Sequence, residues 1–186
     1  DVDSVYPVDP RLVPEVKQGI PVMTYREMRE LSYAGFGVFH DEAVIPAVRA
    51  GIPINVRNTN RPSEPGTMIV QSRQVEAGSV VGIASDDGFC NIFVDKYMMN
   101  REIGFGRHLL QILEWEGVSY EHMPSGIDNV SVVIRDRNFS PACEKRVEER
   151  IRRDLNPDAV LIERGYALVM VVGEGLYYTV GMAAKA

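Results

Sequence analysis

The sequence predicts the tail of an α/β domain followed by an α+β unit of the ferredoxin-like β-α-β-β-α-β kind, with a second such unit begun but not completed. Three observations carry this expectation. A helix pattern feeds a short apolar strand before residue 57. A loop dense in turn formers, Asn58-Thr59-Asn60-Arg61-Pro62-Ser63-Glu64-Pro65-Gly66, then interrupts the chain. From residue 80 onward, apolar residues switch between the period of a strand and that of a helix in the order β-α-β-β-α-β. The division read from this is 1–70, 71–157 and 158–186.

In the first stretch, Thr24-Tyr25-Arg26-Glu27 reads as a capping box, with Met23 and Met28 placed to form a hydrophobic staple. Met28, Leu31, Gly35 and Val38 then line one helical face. Asp41 is positioned to cap a second helix that stops at Gly51, with Pro46 straining its first turns. Ile52 to Val56 follows as a strand. Beyond the loop, Val80 to Ser85 and Phe89 to Val94 read as strands joined by the turn Asp86-Asp87-Gly88. Phe105, Leu109, Ile112 and Leu113 give an amphipathic helix closed by Gly117. Val118 to Met123 and Val130 to Ile134 read as the next strands. Ser140-Pro141 opens a helix as N-cap and N1, with Cys143, Val147 and Ile151 on its apolar line. Glu148-Arg152 and Glu149-Arg153 are spaced for i,i+4 ion pairs. Ala159 to Ile162 and Ala167 to Val172 are apolar and β-branched, hence strands.

Composition narrows the function classes. Of 186 residues, 45% are hydrophobic and 25% charged. Mean hydropathy is -0.11, the profile of an ordinary globular protein. Lys and Arg number 20 against 26 Asp and Glu, a net charge of -6. No face concentrates positive charge, which argues against tracking a nucleic-acid backbone. The one dense cationic stretch, 145–153, is interleaved with glutamates. No apolar run approaches the roughly 20 residues needed to span a bilayer, and the N-terminus does not read as a signal peptide. Cys90 and Cys143 form neither a disulfide framework nor a metal site, and fit a reducing cytosol as buried thiols. His40, His108 and His122 lack metal-ligand spacing.

Several short motifs have chemical readings beside plainer ones. In Asp1-Val2-Asp3-Ser4-Val5-Tyr6-Pro7-Val8-Asp9-Pro10-Arg11, a Tyr ring can pack on a purine and an Arg fork can hold phosphate oxygens. The plainer reading is an exposed acidic turn. Gly104-Phe105-Gly106 opens a helix whose unpaired N–H groups suit a carboxylate, or is a simple strand-to-helix turn. Glu121 can pair with an amine or face water. Gly173-Glu174-Gly175 lacks the Gly-Lys-Ser/Thr continuation of a P-loop.

Taken in order, these stretches resemble the aspartokinase family. Residues 1–70 are similar to the end of its amino-acid kinase domain. The stretches that carry this are Asp1-Val2-Asp3, Tyr6 and Asp9-Pro10-Arg11, then Leu31-Ser32-Tyr33-Ala34-Gly35-Phe36 running into His40. Ile45-Pro46-Ala47-Val48-Arg49-Ala50-Gly51-Ile52-Pro53-Ile54 and Pro65-Gly66-Thr67 complete it. From residue 80 the chain resembles the family's regulatory ACT domains. Here the match lies in Met98-Met99-Asn100-Arg101 to Gly104-Phe105-Gly106 and in Ser125-Gly126-Ile127-Asp128-Asn129-Val130-Ser131-Val132. Val171-Val172-Gly173-Glu174-Gly175 and Tyr178-Thr179-Val180-Gly181 extend it.

The resemblance implies ATP-dependent phosphorylation of the aspartate side chain, with MgATP as co-substrate, at the entry to lysine, threonine and methionine biosynthesis. It implies feedback by an amino-acid effector through ACT domains, homodimerisation through those domains, and a cytoplasmic enzyme that engages neither nucleic acid nor membrane. By position, Asp1, Tyr6, Arg11, Gly37 and Val38 would belong to the nucleotide site. The family often has Lys-Val where Gly37-Val38 stands, so that contact departs from the pattern. Met99, Glu102, Gly104, Phe105, Gly106, Ser119, Tyr120 and Glu121 fall where the effector is held. Two acids, Glu102 and Glu121, favour lysine over threonine. The family's Lys-Phe-Gly-Gly phosphate loop and aspartate-binding residues are not among these 186 residues. The chain by itself is therefore expected to contain no catalytic residue and to be inactive. The alternative is a stand-alone amino-acid-binding or dimerisation module.

Overall fold

The computed structural model describes residues 2–35, 37 and 44–185. Two compact units divide the chain, one of Asp1–Asp86 with Leu168–Ala186, the other of Asp87–Ala167. The divisions fall inside two long strands that contribute to both units.

The first unit holds a small sheet of β1 (Val22–Thr24), β2 (Ile54–Val56) and β3 (Thr67–Val70) in the order β1-β3-β2. β3 runs parallel to β1, with Val22 opposite Met68, and antiparallel to β2, with Ile54 opposite Ile69. The turn-rich loop 58–66 thus returns the chain to the same sheet. Helix α1 (Tyr25–Tyr33) starts at the expected capping box. The Thr24 hydroxyl accepts the Glu27 N–H at 3.1 Å, and the Glu27 carboxylate accepts the Thr24 N–H at 2.9 Å. Met23, Met28 and Leu31 are buried in one cluster with Val5, Ile69 and Val172. Helix α2 (Ile45–Ala50) begins later than expected, with Val44 at the N-cap. Pro46 therefore stands in its first turn, where a missing N–H costs nothing, and does not strain it. Asp41, Phe36, Val38 and His40 lie outside the described residues. Gly51 ends α2 at φ 66, the left-handed conformation the sequence anticipated.

The second unit is built on a sheet in the order β5-β4-β6, with β4 (Gly82–Asp95), β5 (Asn129–Arg135) and β6 (Ala159–Val172). β4 and β5 pair antiparallel from Phe89–Arg135 to Asp95–Asn129. Helices α3 (Phe105–Trp115) and α4 (Pro141–Leu155) bury Phe105, Leu109, Ile112, Leu113, Cys143, Val147, Ile151 and Leu155 into one core. That core also takes the inward side chains Val130, Val132 and Ile134 of β5, whose alternation is strict. Element order and sheet order together are ferredoxin-like.

Four expectations are corrected here. Residues 80–94 are not a hairpin: β4 runs unbroken through Asp86-Asp87-Gly88, with Gly88 at φ 75 inside the strand. β6 likewise runs as one strand through Gly165, at φ 82. Residues 118–123 are not a regular strand. Both Glu121 and His122 donate to the Val133 carbonyl, at 2.8 and 3.5 Å, so two residues face one and the ladder shrinks to isolated bridges at His122 and Ser125. Finally, Glu148–Arg152 pairs as expected at 2.7 Å, but Arg153 turns to Asp154 at 2.6 Å and Glu149 to Lys145 at 3.9 Å.

Candidate functional site

The expected nucleotide edge lies in the first unit. Val5 donates its N–H to the buried Thr67 hydroxyl at 2.8 Å, and Ile83 donates to the Pro7 carbonyl at 2.7 Å. The half-buried Tyr6 is therefore carried on backbone fixed at both neighbours. Arg11 is fully outside, held in a fork by Asp9, with Nη2 on Oδ2 at 2.7 Å. That guanidinium keeps the Asp9 carboxyl below the ordinary carboxylate range. Gly37 is exposed. Asp1 and Val38 lie outside the described residues. Among the described residues, no hydrogen bond or ion pair joins Tyr6, Arg11 and Gly37 to one another. No three His, Cys, Asp or Glu side chains among them gather to hold a metal ion.

The expected effector residues lie in the second unit, and three of the eight, Gly106, Ser119 and Tyr120, line one cavity. Gly104 caps α3 at φ 81, a conformation glycine adopts without strain. Its carbonyl opens the helix by accepting the His108 N–H at 2.9 Å. Of the first-turn N–H groups, that of Phe105 donates to the Glu102 carbonyl at 3.3 Å, and those of Gly106 and Arg107 have no acceptor within the helix. A Cβ on Gly106 would lie 3.4 Å from the Met123 methyl, so glycine lets the helix start lie close to the 118–123 segment. Gly106, Ser119 and Tyr120 line a cavity of about 940 Å3, whose wall also includes Arg107, Leu110, Glu114 and Met123. Met99 and Phe105 belong instead to the buried core.

The two acids both have cations that the sequence reading did not supply. Glu102 pairs with Lys96, whose ammonium also donates to the Leu155 carbonyl at 2.6 Å and lies 5.4 Å from the Phe105 ring. Glu121 pairs with Arg135 Nε at 3.3 Å, and the Arg135 guanidinium stacks 4.4 Å over Phe89. Lys96 follows the end of β4 and Arg135 closes β5, so only the sheet brings them to these acids. Burial pushes both thiols, Cys90 and Cys143, above their ordinary range and leaves them as inert core residues.

A third constellation, in the first unit, was legible only as the capping box of Thr24 and Glu27. Glu27 is 1% exposed, yet it accepts from Arg73 Nη2 at 2.6 Å, Arg73 Nε at 3.0 Å and the Glu174 N–H at 3.2 Å besides Thr24. Burial opposes its ionisation, but Arg73 and the two backbone donors outweigh it and hold the carboxyl below its usual range. The Thr24 hydroxyl donates in turn to Glu174 Oε1 at 2.9 Å. Partners 46 and 147 positions away leave no local signal in the sequence.

Comparison with known proteins fits both halves. The model of the amino acid kinase family matches residues 1–58. Aspartokinase 3 of Bacillus subtilis is 56% identical over 186 residues, all of this chain and 41% of that protein. A bifunctional aspartokinase/homoserine dehydrogenase of Haemophilus influenzae is 30% identical over the whole chain and 23% of its own length. The crystal structure of Clostridium acetobutylicum aspartate kinase superposes with a TM-score of 0.91 at 45% identity, covering all of this chain and 43% of that one. E. coli aspartokinase III in complex with aspartate and ADP has the same fold, with a TM-score of 0.79 at 22% identity. The chain thus spans under half the length of these relatives. A kinase-family edge, a ferredoxin-like unit bearing a glycine-opened helix beside a cavity, and collinear identity from end to end have one common explanation: the chain belongs to the aspartokinase family.

Proposed function

We propose that this chain is the feedback-regulatory, amino-acid-binding stretch of an aspartokinase together with the edge of its nucleotide site. The single observation that carries the reading is 56% identity along the entire chain to an aspartokinase. The parent activity is transfer of the γ-phosphoryl group of MgATP to the side-chain carboxylate of L-aspartate, giving 4-phospho-L-aspartate for lysine, threonine and methionine biosynthesis in the cytoplasm. Related structures hold aspartate with ADP in one case and lysine with aspartate in another. Phosphoryl transfer rests on positioning and charge stabilisation. In this reading Asp1, Tyr6, Arg11, Gly37 and Val38 serve the nucleotide rather than the reacting atoms. Residues 1–70 are its kinase portion, 71–157 the first ACT domain and 158–186 the start of a second.

The effector in this reading is lysine, with threonine as the competitor. Its carboxylate meets the N–H groups at 104–106, beside Met99 and Phe105, and its amines meet Glu121 and Glu102 near Ser119 and Tyr120. A charge-assisted bond to a partly buried amine contributes about 1.5–3 kcal/mol. Titration calorimetry with lysine and threonine tests the assignment. Glu121→Gln is expected to weaken lysine binding by roughly ten- to a hundredfold and to leave the fold intact. Equal lysine affinity in the two forms, or binding of threonine alone, overturns it.

A further inference from the structure

Gly173-Glu174-Gly175 lacks the continuation of a P-loop, yet both glycines are required where they stand. A Cβ on Gly175 would lie 2.3 Å from the Glu76 carbonyl oxygen, and one on Gly173 would lie 2.5 Å from the Ser79 carbonyl oxygen. The two glycines therefore press the backbone against residues 76–79. Gly78 donates to the Gly175 carbonyl at 2.9 Å, sealing the contact. Glu174, between them, faces the other way. Its N–H reaches the buried Glu27 carboxylate, and its own carboxylate accepts from Thr24. The short 3-10 helix Glu174–Tyr178 is thus gripped from two sides directly beyond the end of β6. Gly173, Glu174, Leu176 and Tyr177 form one wall of a cavity of about 810 Å3 whose other side carries Arg26 and Glu30 of α1.

We propose that residues 174–178 are a detachable strap, docked through Glu27 and Gly175, that ties the end of β6 to the start of α1 and opens this cavity on release. The two grips are coupled because Gly173, Glu174 and Gly175 are consecutive, so lifting one side displaces the other. Arg73 neutralises Glu27, and only a neutralised, fully bonded carboxylate can stay buried under the strap. Loss of Arg73 leaves Glu27 either uncompensated or protonated, and in both cases weakens its hold on the Glu174 N–H. Loss of either glycine pushes the strap off residues 76–79, and Glu174 withdraws from Glu27 with it. Docking decides whether β6 pulls on α1, the property of a bistable element that a distant site can bias. The inference goes beyond the reading above and stands without it.

Native-state hydrogen exchange on the 186-residue chain tests this with two variants that touch opposite grips. Arg73→Met is expected to accelerate exchange of the Gly78 N–H, which Arg73 does not bond, by at least about tenfold. Gly175→Ala is expected to accelerate the Thr24 N–H, which Gly175 does not touch, to the same degree. Arg73→Lys, which keeps the charge, should restore part of the protection. Amides of residues 130–134 in β5 should be unchanged in every variant. The proposal is overturned if each variant loosens only its immediate neighbours, or if the whole chain exchanges faster.

Discussion

Glu27, almost wholly buried, meets Arg73 and the Thr24 and Glu174 N–H groups at once. Its ordinary pKa is 4.5, and in the fold it lies lower, because Arg73 and two backbone N–H groups overcome the burial that would raise it. A depressed carboxyl stabilises the fold fully above the unfolded value and loses that contribution as pH falls through the folded value. We therefore expect the first unit to lose stability as pH drops below about 4.5, and Glu27→Gln to be less stable at pH 7 with a flatter acid limb. Urea denaturation followed at Tyr25, which packs in the same core, measures both. An acid limb identical in the two forms would remove Glu27 from the account. The capping box around Glu27 was legible because Thr24 and Glu27 are three positions apart. Arg73 and Glu174 were not, since a local pattern carries no information on what burial will place over it.

At the scale of elements, the helices were read well and the long strands poorly, for one reason. Helix signals are local: Ser140 before Pro141 predicted the start of α4, and its hydroxyl accepts the Cys143 N–H at 3.3 Å. Ser140→Ala should cost about 1 kcal/mol in thermal or urea unfolding; no loss would mean that the cap is replaced by water. Strands are decided by neighbours. Asp86-Asp87-Gly88 has the composition of a hairpin turn, but β6 lies alongside and keeps β4 extended. Val81 donates to Val172 at 2.7 Å and Asp158 donates to Asp95 at 2.8 Å, so the two strands run antiparallel. Gly88, with open space around its missing Cβ, supplies only a left-handed backbone within the strand. Gly88→Ala should consequently cost about 1 kcal/mol through conformation and nothing through packing. A far larger loss would point to a steric role that the open space denies.

For the whole molecule, exposed apolar side chains matter most. Tyr97, Ile103, Tyr120 and Ile127 of the second unit are 74%, 97%, 48% and 68% exposed, so a partner that covered them would bury apolar surface. We expect the chain to associate at least to a dimer through residues 80–135, as the family resemblance also implies. Sedimentation at tens of micromolar checks this, and a strictly monomeric mass defeats it. We further expect no aspartyl phosphate from the purified chain with MgATP and aspartate. The proposed nucleotide edge has no Lys-Phe-Gly-Gly loop among the 186 residues, and detectable product would show that the chain holds a complete site.

By itself the sequence determined the class of fold, the starts of α1, α3 and α4, the buried faces of α3, β5 and α4, and the glycines that open α3. All of these follow from residues a few positions apart, whose periodicity and capping chemistry act locally. Tertiary structure alone decided that β4 and β6 run unbroken, that residues 118–123 bulge away from a full strand, and that Lys96 and Arg135 answer Glu102 and Glu121. It alone joined Thr24, Glu27, Arg73 and Glu174. Charges and strand edges choose partners through space, and the low dielectric of the interior makes those distant choices strong enough to overrule the local pattern.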